Sequence, residues 1–120
     1  MRLAIIEDDR MLRENLRLLL SGEAGIEVVG AFGSAEEALD GLGRCAPELL
    51  LVSAGFDAHS RDPLAGMRVT DEGFREMTRI LLRLAKGSAG SRLVSLLEGG
   101  YDRQALPLSV AAHIETLMES

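Results

Sequence analysis

The chain has 120 residues, 47% of them hydrophobic, which is enough to bury one core, so we predict a single domain over residues 1–120. A net charge of −6, with no Trp, one Tyr and three Phe, excludes a basic or aromatic surface for nucleic acid. No stretch approaches the roughly 20 apolar residues of a membrane span, and we expect neither a membrane contact nor a signal peptide. The single cysteine, Cys45, excludes an internal disulfide and favours a cytoplasmic protein.

The first half of the chain alternates between strand and helix patterns. The predicted elements are a strand over 3–6, a helix over 10–21, a strand over 26–32, a helix that begins at the capping box 34–37, and a strand over 49–52. The first and third strands are continuous apolar runs, which is typical of parallel strands covered on both faces. Asp8 or Asp9 is predicted to cap the first helix, whose inward side chains are expected to be Leu12, Leu16, Leu19 and Leu20.

The second half opens with a long irregular segment over 53–69, which exceeds the usual connection of an α/β unit. A helix over 71–85, a strand over 93–97 and a helix over 105–118 are predicted to follow. In the last helix, the expected inward residues are Leu108, Ala111, Ala112 and Leu117. The alternation of elements predicts an α/β fold in which helices cover both faces of a four-stranded parallel sheet.

Residues 1–52 resemble a response-regulator receiver domain. The resemblance rests on Leu3-Ala4-Ile5-Ile6-Glu7-Asp8-Asp9 followed by an amphipathic helix. It implies a flavodoxin-like start and therefore the strand order 2-1-3-4 in a three-layer α/β/α fold. It also implies an acidic cluster that binds Mg²⁺ beside a phosphorylated aspartate after the third strand. Ser53 stands at that place. Serine cannot form the acyl phosphate, so we expect no phosphotransfer and interpret Asp8 and Asp9 as helix caps.

Residues 53–117 resemble the C-terminal part of a bacterial histone-deacetylase-like amidohydrolase. The resemblance rests on Ser53-Ala54-Gly55-Phe56-Asp57-Ala58-His59, Asp62-Pro63-Leu64 and Glu98-Gly99-Gly100-Tyr101. It implies that Asp57 is a zinc ligand and that the Tyr101 hydroxyl polarises the substrate carbonyl. The family's general-base histidines and its Asp-x-His ligand loop have no counterpart in residues 1–52. His59 follows Asp57 at ligand-like spacing, but by position the family does not use it as a ligand.

A joint site is predicted where the strands end. The carboxyl ends of parallel strands meet at one edge, which places Glu7, Asp8, Asp9, Asp57 and Glu98 on a common rim. We interpret these residues first as solvated carboxylates and helix caps. Because clustered carboxylates attract divalent cations, the alternative prediction is a weak Mg²⁺, Ca²⁺ or Zn²⁺ site at Asp8, Asp9 and Asp57.

Each half of the chain lacks catalytic residues of the family it resembles, and the two halves join at the third strand. This favours an engineered or recombined α/β scaffold with no evolved catalytic function. We therefore expect no enzyme activity and no cofactor beyond that weakly bound cation. Two alternatives stay open: a degenerate receiver-like binding module, and a residual metal-dependent hydrolase that uses Asp57, His59 and Tyr101. The apolar fourth strand, at the sheet edge, is expected either to be covered by the last helix or to pair with a second copy in a homodimer.

Overall fold

The computed structural model describes residues 1–64 and 66–119. The strands are β1 (Arg2–Ile6), β2 (Glu27–Phe32), β3 (Leu49–Gly55) and β4 (Leu93–Glu98). The α-helices are α1 (Arg10–Ser21), α2 (Ala35–Cys45), α3 (Asp71–Ser88) and α4 (Ala105–Met118), and a short 3-10 helix spans Phe56–Ala58. Among the residues described, no helix combines the length and the apolar character needed to cross a bilayer.

The four strands form one parallel sheet in the order β2-β1-β3-β4, so the predicted fold class and strand order are confirmed. In β1, Ile5 is paired with Ala31 of β2 on one side and with Leu51 of β3 on the other. A strand between two neighbours, with helices on the faces, has no contact with water, and Ala4 and Ile5 are 0% exposed. This explains why β1 is apolar without alternation.

Local capping chemistry begins the first two helices where the sequence predicts. The Asp9 carboxylate accepts a hydrogen bond from the Leu12 N–H at 2.8 Å, and the Ser34 hydroxyl accepts one from the Glu37 N–H at 3.1 Å. Glu37 completes the capping box, because its carboxylate accepts from the Gly33 N–H at 2.8 Å. α2 ends with Ala46 in the left-handed conformation at φ 48°, where glycine is the usual residue.

The chain divides into two compact units. The first comprises Met1–Ser53 and Arg83–Leu96, and the second comprises Ala54–Leu82 and Leu97–Ser120. The first boundary coincides with the change of resemblance after residue 52, although residues 83–96 group with the N-terminal segment. A single domain over residues 1–120 stays a prediction.

The core of the first unit lies under α1. Leu3, Ile5 and Leu51 are buried there, and Leu16 and Leu20 of α1 pack against them. Further partly buried side chains in this cluster are Ile26, Val28, Ala31 and Leu49. The prediction that Leu19 faces inward is wrong, since it is 66% exposed. The helix α1 covers one edge of a small sheet, so it buries fewer leucine side chains than the run of leucines in its sequence suggests.

The core of the second unit is built around Phe56. Its ring lies 5.1 Å from that of Phe74 in α3 and 5.7 Å edge-on from the imidazole of His113 in α4. The predicted inward face of α4 is wrong in part, because Leu108 is 58% exposed and Ala111 is also exposed. The buried residues of α4 are Ala105, Ser109, Ala112, His113 and Thr116. Small and polar side chains allow close packing, and their polar atoms find hydrogen-bond partners.

Two elements are longer than their sequence patterns indicate. α3 continues through Gly87 to Ser88, past the predicted end near residue 85. Gly87 lies within α3 and is not among the glycines with positive φ, so it does not end the helix. β3 continues past Val52 to Gly55 and brings Asp57 to a position directly after the strand.

Candidate active-site segment

The second unit brings the two deacetylase-like motifs into contact. Gly99 and Gly100 follow β4 with φ values of +65° and +115°, which favour glycine. A Cβ on Gly99 would lie 2.9 Å from both Cγ and Oδ1 of Asp57. The turn after β4 therefore passes directly against the carboxylate after β3, and only a glycine leaves room for it.

Gly100 packs on the other side of the same turn. Its Cβ position would lie 3.2 Å from the Phe56 Cβ and 2.5 Å from Leu106 Cδ1. Phe56 is buried and stands next to Asp57 in the short 3-10 helix. The buried ring thus anchors the backbone that presents the partly exposed Asp57 side chain.

Tyr101 follows this turn and is 58% exposed. Its backbone N–H donates to Oδ2 of Asp62 at 2.7 Å, and Oδ1 of the same carboxylate accepts from the Leu64 N–H at 2.9 Å. Asp62 is only 7% exposed. The sequence predicts that the motif Asp62-Pro63-Leu64 shapes a loop turn, and the bond from the Leu64 N–H to Asp62 lies in that turn. An aspartate before proline does indicate a turn capped by its side chain. The second hydrogen bond of Asp62, from Tyr101 39 residues away, is visible only in the fold.

His59 does not have the environment of a metal ligand. Its Nδ1 accepts from the Arg61 N–H at 3.0 Å, so the neutral ring carries its hydrogen on Nε2, which faces Oδ1 of Asp71 at 3.3 Å. The ring stacks on Phe74 at an interplanar angle of 7°. Because both ring nitrogens are used inside the unit, His59 is a buried structural residue, in agreement with its non-ligand position in the family motif.

His113, in the middle of α4, is buried. The Thr78 hydroxyl donates to the Phe74 carbonyl at 2.6 Å, so it accepts a hydrogen bond from Nδ1–H of His113 at 2.7 Å. Burial lowers the pKa of His113 below its ordinary value. The neutral ring therefore supports Phe56, which precedes Asp57.

The acidic cluster after β1 belongs to the first unit. Asp9 caps α1, Asp8 is exposed, and the buried Glu7 accepts from the Asp9 N–H at 2.9 Å. Ser53 lies within β3, where a receiver has its phosphorylated aspartate. These contacts agree with the interpretation of Asp9 as a helix cap.

The predicted cation site draws on residues of both units, with Asp8 and Asp9 in the first and Asp57 in the second. Over residues 1–64 and 66–119, no three His, Cys, Asp or Glu side chains form a group that could hold a metal ion. The weak site at Asp8, Asp9 and Asp57 therefore stays a prediction without structural support. Asp57 and Tyr101 are the family-matched residues whose motifs the fold brings together.

The curated proteins that resemble this chain include deacetylases. The chain is 46% identical over 81 residues to "Type-2 histone deacetylase 1" of Dictyostelium discoideum, covering 68% of this chain and 5% of that protein. It is 43% identical over 79 residues to "Histone deacetylase-like amidohydrolase" of Pseudomonas aeruginosa, covering 66% of this chain and 21% of the relative. The chain thus spans a small part of each of these relatives.

Comparison with solved structures shows the fold. The crystal structure of the HDA15 HD domain superposes with a TM-score of 0.67 at 19% identity, covering 99% of this chain and 45% of that chain. The REC domain of RcsB from Salmonella enterica superposes with a TM-score of 0.54 at 14% identity, covering 93% of this chain and 71% of that one. At these identities the likeness extends to the fold alone, so the second match does not support phosphotransfer.

These findings correct the functional interpretation of the sequence. The prediction of an engineered or recombined scaffold without evolved function is wrong, because curated deacetylases share 43–46% of the aligned residues with the chain. The Histone deacetylase domain family matches residues 25–117, which also includes part of the receiver-like segment. Since the match covers more than half of the sequence, the chain belongs to the histone deacetylase domain family.

Proposed function

We propose that this chain carries part of the catalytic centre of a metal-dependent amidohydrolase that removes acyl groups from amines. The contact between the Gly99 turn and the Asp57 carboxylate carries the proposal, since it joins two family-matched motifs in one unit. Asp57 would bind the metal ion, and Tyr101 would donate a hydrogen bond to the carbonyl of the scissile amide. The names of the relatives support this reaction class.

Asp57 can supply one ligand of a zinc site, but the described residues around it do not complete the site. Catalytic zinc sites use three protein ligands, and Asp57 belongs to no group of three potential ligands in the part of the chain that the structure describes. When bound, zinc would polarise the substrate carbonyl and activate water. We therefore propose that the 120-residue sequence by itself binds a divalent cation weakly at Asp57 and does not turn over substrate.

A zinc titration followed by amide NMR tests the assignment of Asp57. The wild-type chain should show Zn²⁺-dependent shifts concentrated in residues 55–59 and 99–101. Asp57→Asn should lose these shifts, because a neutral amide is a poor zinc ligand. Asp40→Asn, which changes an exposed carboxylate on α2, is the matched control and should retain them. Equal shifts in Asp57→Asn and wild type would refute the assignment of Asp57. Hydrolysis of an acetyl-lysine substrate by the 120-residue chain would refute the proposal that its metal site is incomplete.

The partners and the compartment are proposed on simpler grounds. The net charge of −6 opposes binding to nucleic acid, and the single cysteine is consistent with the cytoplasm. At the sheet edge, Val94 and Leu96 of β4 are 40% and 42% exposed, which favours pairing of this edge with a second copy. Sedimentation velocity over a concentration series should then detect a dimer, and a monomer at every concentration would contradict the pairing.

A further inference from the structure

We infer that Asp62 is a positioning residue for Tyr101. The inference rests on the proposed function, because it concerns the tyrosine that is placed there beside the substrate carbonyl. The carboxylate of Asp62 uses its two oxygens for two backbone segments, Oδ1 for the Leu64 N–H at 2.9 Å and Oδ2 for the Tyr101 N–H at 2.7 Å. It thereby ties the loop after β4 to the loop after β3.

Burial makes this connection rigid. Asp62 is 7% exposed, so water competes little for its oxygens, and hydrogen bonds to a carboxylate are among the stronger ones in proteins. Tyr101, in contrast, is 58% exposed, so packing of its ring contributes little to its orientation. The direction of the phenol therefore depends on the backbone, which Asp62 holds at the nitrogen of Tyr101 itself.

The same turn is fixed at its other end. Gly99, two residues earlier, lies against Asp57 so closely that a Cβ would stand 2.9 Å from the carboxylate carbon. The loop between these two points contains only Gly100. Asp57 and Asp62 together thus restrict the turn on both sides, and loss of the Asp62 contact should release Tyr101 while leaving Gly99 in place.

Asp62→Asn and Asp102→Asn make a matched pair of variants. Asparagine offers one side-chain oxygen, so it cannot accept from both Leu64 and Tyr101 as Asp62 does. Asp102 accepts from the Gln104 and Ala105 N–H groups through Oδ1 alone, at 3.0 and 2.7 Å, so its asparagine variant can retain both bonds. In Asp62→Asn we expect hydrogen exchange of the Tyr101 amide to be about tenfold faster, with a smaller change in Asp102→Asn.

Paramagnetic broadening by Co²⁺ alone separates positioning from a merely structural role. Co²⁺ at Asp57 should broaden both the Gly99 amide and the ring protons of Tyr101, which is the only tyrosine. In Asp62→Asn the broadening at Tyr101 should fall while that at Gly99 persists, and in Asp102→Asn both should persist. Unchanged broadening at Tyr101 in Asp62→Asn would overturn the role of Asp62. Absence of broadening at Gly99 in the wild-type chain would instead overturn the metal-binding role of Asp57.

Discussion

Replacing Gly99 by alanine tests the close approach of the two active-site motifs. Gly25→Ala is the matched control, because Gly25 also has positive φ, +83°, but a Cβ there meets nothing within 4 Å. Alanine in the left-handed region costs about 1–2 kcal/mol, and the lower entropy of the unfolded chain offsets about 0.4–1 kcal/mol of this. We therefore expect Gly25→Ala to lower the free energy of unfolding by about 1 kcal/mol.

Gly99→Ala should cost more, because its Cβ would lie 2.9 Å from two atoms of Asp57. Overpacking of this kind adds about 1–3 kcal/mol, so the expected loss is about 2–4 kcal/mol. Urea denaturation measures both variants, and the midpoint should move without a change in m. The displaced Asp57 carboxylate should also bind Zn²⁺ less well. The Zn²⁺-dependent amide shifts should therefore be lost in Gly99→Ala and persist in Gly25→Ala. Equal losses of stability in the two variants, with zinc shifts intact, would refute the contact between the motifs.

Three further substitutions probe the supporting structure. Since burial lowers the pKa of His113, its stabilising contribution is complete above the unfolded value of about 6.5 and is lost as the pH falls toward the folded pKa. Urea midpoints from pH 7.5 to 5 should fall less steeply in His113→Gln; parallel curves would contradict this. His59→Leu should lower the free energy of unfolding by about 1–2 kcal/mol, because the bonds of His59 to Arg61 and Asp71 are lost. The zinc-dependent shifts at Asp57 should persist in this variant, and their loss would indicate that His59 is a metal ligand. Ala46→Gly should raise the unfolding free energy by about 0.5–1 kcal/mol by relieving the strain at φ 48°, and no gain would indicate unstrained backbone.

Local patterns along the chain predicted the strands and helices, and the resemblance to a receiver domain predicted the strand order. Apolar runs without alternation predicted buried parallel strands, and Asp9 and Ser34 marked the starts of α1 and α2 because side-chain caps act over three residues. The motifs at Asp57 and Tyr101 predicted the deacetylase family. The same sequence suggested an engineered origin, and this interpretation was wrong. Missing catalytic residues indicate what a segment lacks and not how it arose.

Only the tertiary structure decided which faces are buried and which polar groups meet. α4 presents Leu108 to solvent and buries His113, because Phe56 and Thr78 from other elements supply a ring contact and a hydrogen bond that no local pattern encodes. The role of Asp62 was hidden for the same reason, since its partner Tyr101 lies 39 residues away. Periodicity and caps act within a few residues and can be read along the chain, whereas a hydrogen bond between distant loops exists only after the strands have placed them side by side.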